Sequence, residues 1–275
     1  MPRSLRIVAA IALAATAACK PDFNLKNYTS NEALYTASLS LFQHHKWADA
    51  ITGFDKLSTD LPPRDTLLAP SYWYLATAHA KQGEHLLAAQ SYSRIVESFP
   101  DDSLADDAAL AAARAYRDLW RKPSLDASYG ETAMNSYSTL VELYPQSPLV
   151  PTAQKEMQQL EDWFAEKAYL SGMYYMRRKA YDSGNLYFVD ILTKWPASPR
   201  ARDAALRLVE SYKAIHYRDD AADLCARLKQ RAPKDQGVAE ACRGVPVVAV
   251  PDSAAAKPLV PPVAADTGAA TTPHR

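Results

Sequence analysis

Glycine and strand-forming patterns are both scarce in this chain. Only 8 of its 275 residues are glycine, and the alternation of apolar and polar residues that is typical of half-buried strands is absent. The three cysteines and six histidines do not follow a metal-ligand spacing. The sequence also lacks a serine elbow, a phosphate-binding loop and an acid–base dyad. These absences favour an all-α, non-catalytic protein without a cofactor or metal.

Neither sign of charge is in excess. The chain has 31 basic and 31 acidic residues, and loss of an N-terminal signal with Arg3 and Arg6 leaves 29 against 31. Proteins that bind nucleic acid by its phosphates need a basic excess, so the sequence predicts no nucleic-acid partner. No segment after the N-terminal apolar run is long and apolar enough to cross a bilayer.

The N-terminus has the pattern of a bacterial lipoprotein signal. Arg3 and Arg6 precede an apolar run over residues 7–15, which is typical of a secretory signal peptide. The run ends in Thr16-Ala17-Ala18-Cys19, which resembles a lipobox and predicts cleavage after residue 18 with lipidation of Cys19. An ordinary signal peptide that happens to contain a cysteine is the alternative. An acylated N-terminus would anchor the chain stably to a membrane.

The residue after the lipobox indicates which membrane would hold the lipid anchor. Lys20, rather than aspartate, follows Cys19, as in lipoproteins sorted to the outer membrane. We therefore expect a lipid-anchored protein on the periplasmic face of the cell outer membrane. Residues 19–28 would form a lipidated linker.

Five helix-length segments end in an apolar residue followed by proline. Proline lacks the N–H that continues a helix, so each pair predicts a helix end. The prolines are 37 to 51 residues apart, and the pairs are Leu61-Pro62, Phe99-Pro100, Tyr144-Pro145, Trp195-Pro196 and Ala232-Pro233. A helix end that recurs at this interval predicts one helix-pair unit repeated five times.

Small and aromatic residues recur within these units at tetratricopeptide spacing. In four of the second helices a small residue precedes an aromatic one by four positions, in the pairs Ala50 and Phe54, Ala88 and Tyr92, Ala133 and Tyr137, and Gly184 and Phe188. The sequence predicts an all-α tetratricopeptide-repeat superhelix of about five helix pairs with a short C-terminal capping helix. Repeats 1–3 would span residues 29–147, and repeats 4–5 with the cap residues 148–244. Residues 245–275, rich in proline and alanine, would form a disordered tail or a partner-binding extension.

Helix-capping signals agree with this division. Thr29 and Glu32 have the spacing of a capping box for the first helix. Ser198 before Pro199 predicts an N-cap followed by proline at the first helical position. The longest predicted helix covers residues 149–178.

Two cysteines remain once Cys19 is assigned to the lipid. Cys225 lies in the last repeat and Cys242 in the predicted capping helix. In an oxidising periplasm such a pair favours a disulfide that fastens the cap to the repeats. Two buried thiols are the alternative.

Certain positions of each first helix line the concave face of such repeats. In the first two units they include Tyr35, Phe42, Trp73 and Thr77. Exposed aromatic side chains there suit the capture of an extended peptide. The alternative is that neighbouring helices bury them.

Four segments of the C-terminal half form a specific pattern. They are Ala-Glu-Lys-Ala-Tyr at 165–169, Tyr-Tyr-Met-Arg-Arg-Lys-Ala-Tyr at 174–181, Trp-Pro-Ala-Ser-Pro at 195–199 and Asp-Ala-Ala-Leu at 203–206. This pattern resembles the BamD family of outer-membrane β-barrel assembly lipoproteins. The lipobox also stands where that family has it. The resemblance covers about residues 19–232.

This resemblance implies a non-catalytic adaptor. Its C-terminal repeats would dock the POTRA domains of a BamA-like barrel protein, beside other assembly lipoproteins, and its N-terminal repeats would engage unfolded outer-membrane proteins. Carried over by position, the docking surface includes Tyr187, Asp190, Lys194, Arg202 and Asp203. Family members often have arginine where this chain has Tyr187, so stacking or a shifted contact would replace a salt bridge there.

Other envelope lipoproteins with tetratricopeptide repeats remain as an alternative. A secretin pilotin or a cell-wall scaffold would share the lipobox and the repeats. The long fourth-unit helix and its Tyr-Tyr-Met-Arg stretch favour the barrel-assembly interpretation.

Overall fold

The computed structural model describes residues 23–247, and this part of the chain contains α-helices and no strand. A short 3-10 helix at Leu25–Asn27 precedes them. The α-helices are α1 (Asn31–Gln43), α2 (Trp47–Asp60), α3 (Leu68–Gln82), α4 (His85–Ser98), α5 (Ala105–Leu119), α6 (Ser128–Leu143), α7 (Val150–Arg177), α8 (Tyr181–Lys194), α9 (Arg200–Ala214), α10 (Arg218–Arg231) and α11 (Gln236–Ala241). The predicted all-α fold is confirmed, with five successive helix pairs and a short final helix. The predicted signal peptide, Cys19 and nearly all of the tail lie outside the described residues.

The apolar residue before each of the five prolines ends a helix, as the sequence predicts. Leu61, Phe99, Tyr144, Trp195 and Ala232 are the C-cap residues of α2, α4, α6, α8 and α10. Each donates its backbone N–H to the carbonyl four residues earlier, for example Leu61 to Leu57 at 3.0 Å. The following proline cannot donate the next such bond, so the helix ends there.

Two predicted helix caps are wrong. Ser30, not Thr29, caps α1, and its Oγ accepts a hydrogen bond from the Ala33 N–H at 3.2 Å. The capping box predicted from Thr29 therefore starts one residue too early. Ser198 does not cap α9, because its side chain is buried and its Oγ has no hydrogen-bond partner within residues 23–247.

The chain divides into two compact units within α5, one ending at Ala108 and the other beginning at Ala109. This division differs from the predicted one between residues 147 and 148. Phe54, Leu57 and Leu75 lie in the core of the N-terminal unit. The core of the C-terminal unit is formed by side chains from α7 to α11, among them Phe188 and Leu208.

Small residues allow neighbouring helices of the C-terminal unit to approach closely. A Cβ atom added at Gly172 of α7 would lie 2.6 Å from a ring carbon of Phe188 on α8, closer than two carbon atoms can pack. Gly172 therefore permits the contact between α7 and α8. At 28 residues, α7 is about 42 Å long at 1.5 Å per residue.

Candidate protein-docking surfaces

Tyr35 and Phe42 of the predicted peptide groove belong to one aromatic cluster in the N-terminal unit. The ring of Tyr74 on α3 lies 5.0 Å from Phe42, 5.4 Å from Phe54 and 6.5 Å from Tyr35, between ring centroids. Phe54 is fully buried, whereas Tyr35 and Phe42 are half-buried. Both predicted groove residues therefore pack between helices and keep part of their surface exposed.

Trp73 and Thr77 form a second group, centred on Tyr92 of α4. The Trp73 ring lies 5.2 Å from that of Tyr92, and the Thr77 and Tyr92 hydroxyls are 2.8 Å apart in a hydrogen bond. Tyr92 is buried, and burial raises the pKa of its phenol despite this hydrogen bond. The four predicted groove residues thus divide between two packing sites. Each is held by a neighbouring helix, as the alternative interpretation expected, yet all four remain partly exposed.

In the C-terminal unit, Tyr187 is part of a partly exposed aromatic array on α7 and α8. Its ring stacks on that of Tyr175 with 5.6 Å between centroids and 14° between planes. Tyr174 meets Tyr175 edge-on, and the Arg178 guanidinium lies 4.4 Å above the Tyr174 ring. Tyr174 is 44% exposed, and Leu186 beside Tyr187 is 63% exposed. The array places aromatic faces and a cation on one part of the surface.

The other predicted docking residues take part in ion pairs. Lys194 and Asp190 form an exposed pair at 3.0 Å one turn apart on α8. Such surface pairs contribute little to stability, so these two side chains can exchange partners at low cost.

Arg202 and Asp203, at the start of α9, are engaged more firmly. Arg202 donates two hydrogen bonds to Asp235, at 2.6 and 2.7 Å, just before α11. Asp203 accepts one from Arg200 at 3.0 Å. The hydrogen bonds from Arg202 lower the pKa of Asp235 to about 2. Arg202 therefore holds α9 against the start of α11, a role that the sequence analysis did not predict.

A carboxylate that the sequence analysis missed joins three helices of the C-terminal unit. Glu156 on α7 accepts hydrogen bonds from Arg114 at 2.6 Å and Arg117 at 3.2 Å, both on α5, and from the Tyr137 hydroxyl of α6 at 2.7 Å. Burial alone would raise the pKa of Glu156, but these hydrogen bonds and the two guanidinium charges hold it below its usual value. Burial and the hydrogen bond to Glu156 raise the pKa of the Tyr137 phenol. No single helix reveals this network, because Arg114 and Glu156 are 42 residues apart.

The segment between α5 and α6 is anchored by Trp120. This side chain is only 2% exposed, and its ring lies 4.8 Å from Phe164 and 5.6 Å from Trp163 on α7. A Cβ atom added at Gly130 would lie 2.2 Å from the Trp120 ring. The inserted segment that interrupts the repeat pattern is thus fixed to α7 at its beginning.

A disulfide joins Cys225 of α10 to Cys242, which directly follows α11. Val238 and Ala241 of α11 are buried in the same core as Cys225. The Lys213 ammonium donates to the Ala241 carbonyl at 2.9 Å at the end of α11. The structure contains the bridged form that the sequence analysis weighed against two thiols.

Comparison with known proteins assigns the family. A family model described as YfiO, outer membrane lipoprotein, matches residues 27–228, and curated relatives are named outer membrane protein assembly factor BamD. The chain belongs to the BamD family. One BamD relative, from Xylella fastidiosa strain Temecula1, is 27% identical over 74% of this chain and 72% of its own length. Another, from Caulobacter vibrioides, is 21% identical over 77% of this chain and 69% of its own length.

Membership of the BamD family confirms the resemblance identified in the sequence. A solved tetratricopeptide protein of Thermus thermophilus is also similar, with 18% identity over 77% of this chain, 98% of its own length and a TM-score of 0.34. The fold assignment rests on the helices described above and not on that likeness. Within residues 23–247, no group of three or more potential metal ligands occurs, and no helix combines the length and the apolar character needed to span a bilayer.

Proposed function

We propose that this protein is a non-catalytic adaptor in the assembly of outer-membrane β-barrel proteins. The observation that carries the proposal is the match of the BamD family model over residues 27–228, together with relatives named as assembly factors. Two chemically different surfaces on a helical-repeat scaffold support such a role, because an adaptor must bind two kinds of protein. A lipid on Cys19 would hold it at the periplasmic face of the outer membrane, beside other assembly lipoproteins.

The C-terminal unit would dock the POTRA domains of a BamA-like barrel protein. Protein interfaces favour aromatic and arginine side chains at their centre, and Tyr174, Tyr187 and Arg178 supply both. Lys194 with Asp190 would form part of a polar rim. Stacking by Tyr187, with the charge of Arg178 nearby, would replace the arginine that other family members carry at the Tyr187 position.

The N-terminal unit would engage unfolded outer-membrane proteins. Tyr35, Phe42, Trp73 and Thr77 are partly exposed and held by packing, so their side chains would lose little conformational entropy on binding a peptide. Extended segments of barrel proteins alternate apolar and polar residues, and partly exposed aromatic rings offer matching apolar contacts.

The test is co-purification of the tagged protein from its native envelope in mild detergent. We expect a barrel protein with POTRA domains in near-equal amount. Tyr174→Glu should reduce its recovery at least tenfold, since it places a charge within the aromatic array of the proposed interface. Leu143→Glu is the matched control, because Leu143 is 58% exposed on α6 of the same unit.

Two results would contradict the proposal. Recovery of a secretin or a cell-wall protein in place of the barrel protein would assign the chain to another class of envelope lipoprotein. Unchanged levels of folded outer-membrane barrels after depletion of the protein would exclude a role in their assembly.

A further inference from the structure

A cleft in the C-terminal unit has the chemistry of a binding site for a proline-rich segment that carries a lysine. Its volume is about 410 Å³, and its walls come from α7, the start of α9 and the segment before α6. They are formed by Pro123, Asp162, Trp163, Glu166, Pro199, Arg200 and Asp203. We propose that this cleft binds residues 257–263 of the same chain, Lys-Pro-Leu-Val-Pro-Pro-Val. This inference does not rest on the proposed function, although the cleft shares Asp203 with the predicted docking surface.

Trp163 supplies the apolar wall of the cleft. Its side chain is 37% exposed although it is large and apolar, and Pro123 and Pro199 line the cleft with it. Its position is fixed, because its ring centroid lies 5.6 Å from that of the buried Trp120. Proline-rich segments dock on aromatic side chains held in this way, since an extended polyproline conformation costs them little entropy.

The polar side of the cleft is negatively charged. Three carboxylates line it against one guanidinium, and that of Arg200 is already paired with Glu166 and Asp203. Asp162 is different, because its Oδ1 is buried and has no hydrogen-bond partner in the described part of the chain. A buried carboxylate oxygen without a partner is unfavourable, so the site favours a ligand with a cationic group. Lys257 is the only cationic residue in the proposed segment.

The tail can reach the cleft from the point where the described chain ends. Val245 packs on the core of the C-terminal unit, and the Arg243 carbonyl accepts a hydrogen bond from Lys213 near the end of α9. The distance along α9 from Lys213 back to Asp203 is about 15 Å at 1.5 Å per residue. The ten residues from Val247 to Lys257 span about 31 Å when extended at 3.1 Å per residue, about twice that length.

The experiment places a nitroxide label beside the proposed segment and observes the tryptophan indoles. The full chain would carry Cys19→Ser and Ala264→Cys, so that the introduced cysteine is the reactive thiol. Its tryptophan residues would be labelled with nitrogen-15. We expect loss of the Trp163 indole signal in the labelled protein and its return when the nitroxide is reduced. Trp163→Phe assigns that signal among the five tryptophans.

Charge variants test the recognition itself. Asp162→Asn, which preserves the shape of the side chain, should restore the Trp163 signal, whereas Glu142→Gln at an exposed position of α6 should not. Asp162→Lys combined with Lys257→Asp should abolish the signal again, because the pair is restored with its charges exchanged.

Three outcomes would overturn the proposal. The first is a Trp163 signal that the label does not affect, and the second is a signal loss that persists unchanged in Asp162→Asn. The third is a signal loss of the same size when nitroxide-labelled chains without nitrogen-15 are mixed with isotope-labelled chains without nitroxide. That result would assign the cleft to the tail of a second copy.

Discussion

Aromatic packing joins helices inside both units of this protein, but the C-terminal unit adds ion pairs between distant segments and a disulfide. In the N-terminal unit, aromatic rings such as those of Phe42 and Tyr74 pack between the helices, and ion pairs such as Lys56 with Asp60 span a single turn. In the C-terminal unit, Glu156 pairs with Arg114 across 42 residues, and a disulfide fastens α11 to α10.

This difference affects which side chains remain available for partners. Where aromatic side chains pack the helices, as Tyr35 and Phe42 do, binding and stability depend on the same residues. Where ion pairs and a disulfide join the helices, aromatic and aliphatic side chains such as Tyr174 and Leu186 can stay exposed. Surface substitutions should therefore separate binding from stability more cleanly in the C-terminal unit.

The largest expected effect is that of removing the disulfide. Cys225 and Cys242 are 17 residues apart, and opening a loop of this size costs about 3 kcal/mol of stability. Reduction should lower the free energy of unfolding of the C-terminal unit and expose α10 and α11 to hydrogen exchange, while α1 to α4 keep their protection. The double variant Cys225→Ala with Cys242→Ala should show the same loss and no response to reductant. An unchanged exchange pattern after complete reduction would contradict this prediction.

Glu156→Gln should have the next largest effect. The amide keeps the shape of the side chain but weakens the hydrogen bonds from Arg114 and Arg117, so we expect a loss of about 2 kcal/mol. Because the folded-state pKa of Glu156 is lowered, its contribution is present above the usual carboxyl pKa and is lost as the pH falls below it. Urea unfolding at neutral pH measures the change. Glu142→Gln is the control, and an equal effect of both substitutions would show that the network does not stabilise the unit.

Local chemistry allowed the helices to be predicted. Proline after a helix-length segment favours a helix end through local sterics alone, so Leu61, Phe99 and Trp195 marked helix ends without knowledge of the fold. Small residues such as Gly184 could be placed because the repeat spacing fixes which positions face a neighbouring helix. The caps of α1 and α9 were placed wrongly because several candidate residues, such as Thr29 and Ser30, adjoin each helix start.

The contacts between distant segments could not be predicted in the same way. Trp120 lies between α5 and α6, where the repeat register gives no information about its neighbours. The pairing of Arg202 with Asp235 depends on where α11 packs, which the sequence does not specify. Exposure was also unpredictable, since the part of Tyr35 that is covered depends on Tyr74 of the next repeat.

A smaller effect is expected from Tyr74→Leu in the N-terminal unit. Leucine keeps most of the apolar burial but loses the ring contacts to Phe42, Phe54 and Tyr35, which should cost about 1 kcal/mol. Thermal unfolding of the N-terminal unit would show it, with Tyr129→Leu at a 38% exposed position as the control. If Tyr74→Leu also weakens the binding of an unfolded barrel peptide, the same aromatic cluster serves packing and binding. Unchanged stability of the variant would show that the ring contacts contribute little.

The smallest expected effect is the loss of the Arg202–Asp235 pair in acid. The folded-state pKa of Asp235 is about 2, below its ordinary value of 3.8, so the pair's contribution is fully present above that ordinary value and disappears as the pH falls through 2. A carboxyl titration by NMR should find this low midpoint, and the Gly237 and Val238 amides that donate to Asp235 should follow it. Arg202→Gln should move the midpoint back toward 3.8 because it removes the main cause of the shift. A midpoint that stays near 2 in this variant would show that the two amides alone hold the carboxylate, and would leave Arg202 available to a partner.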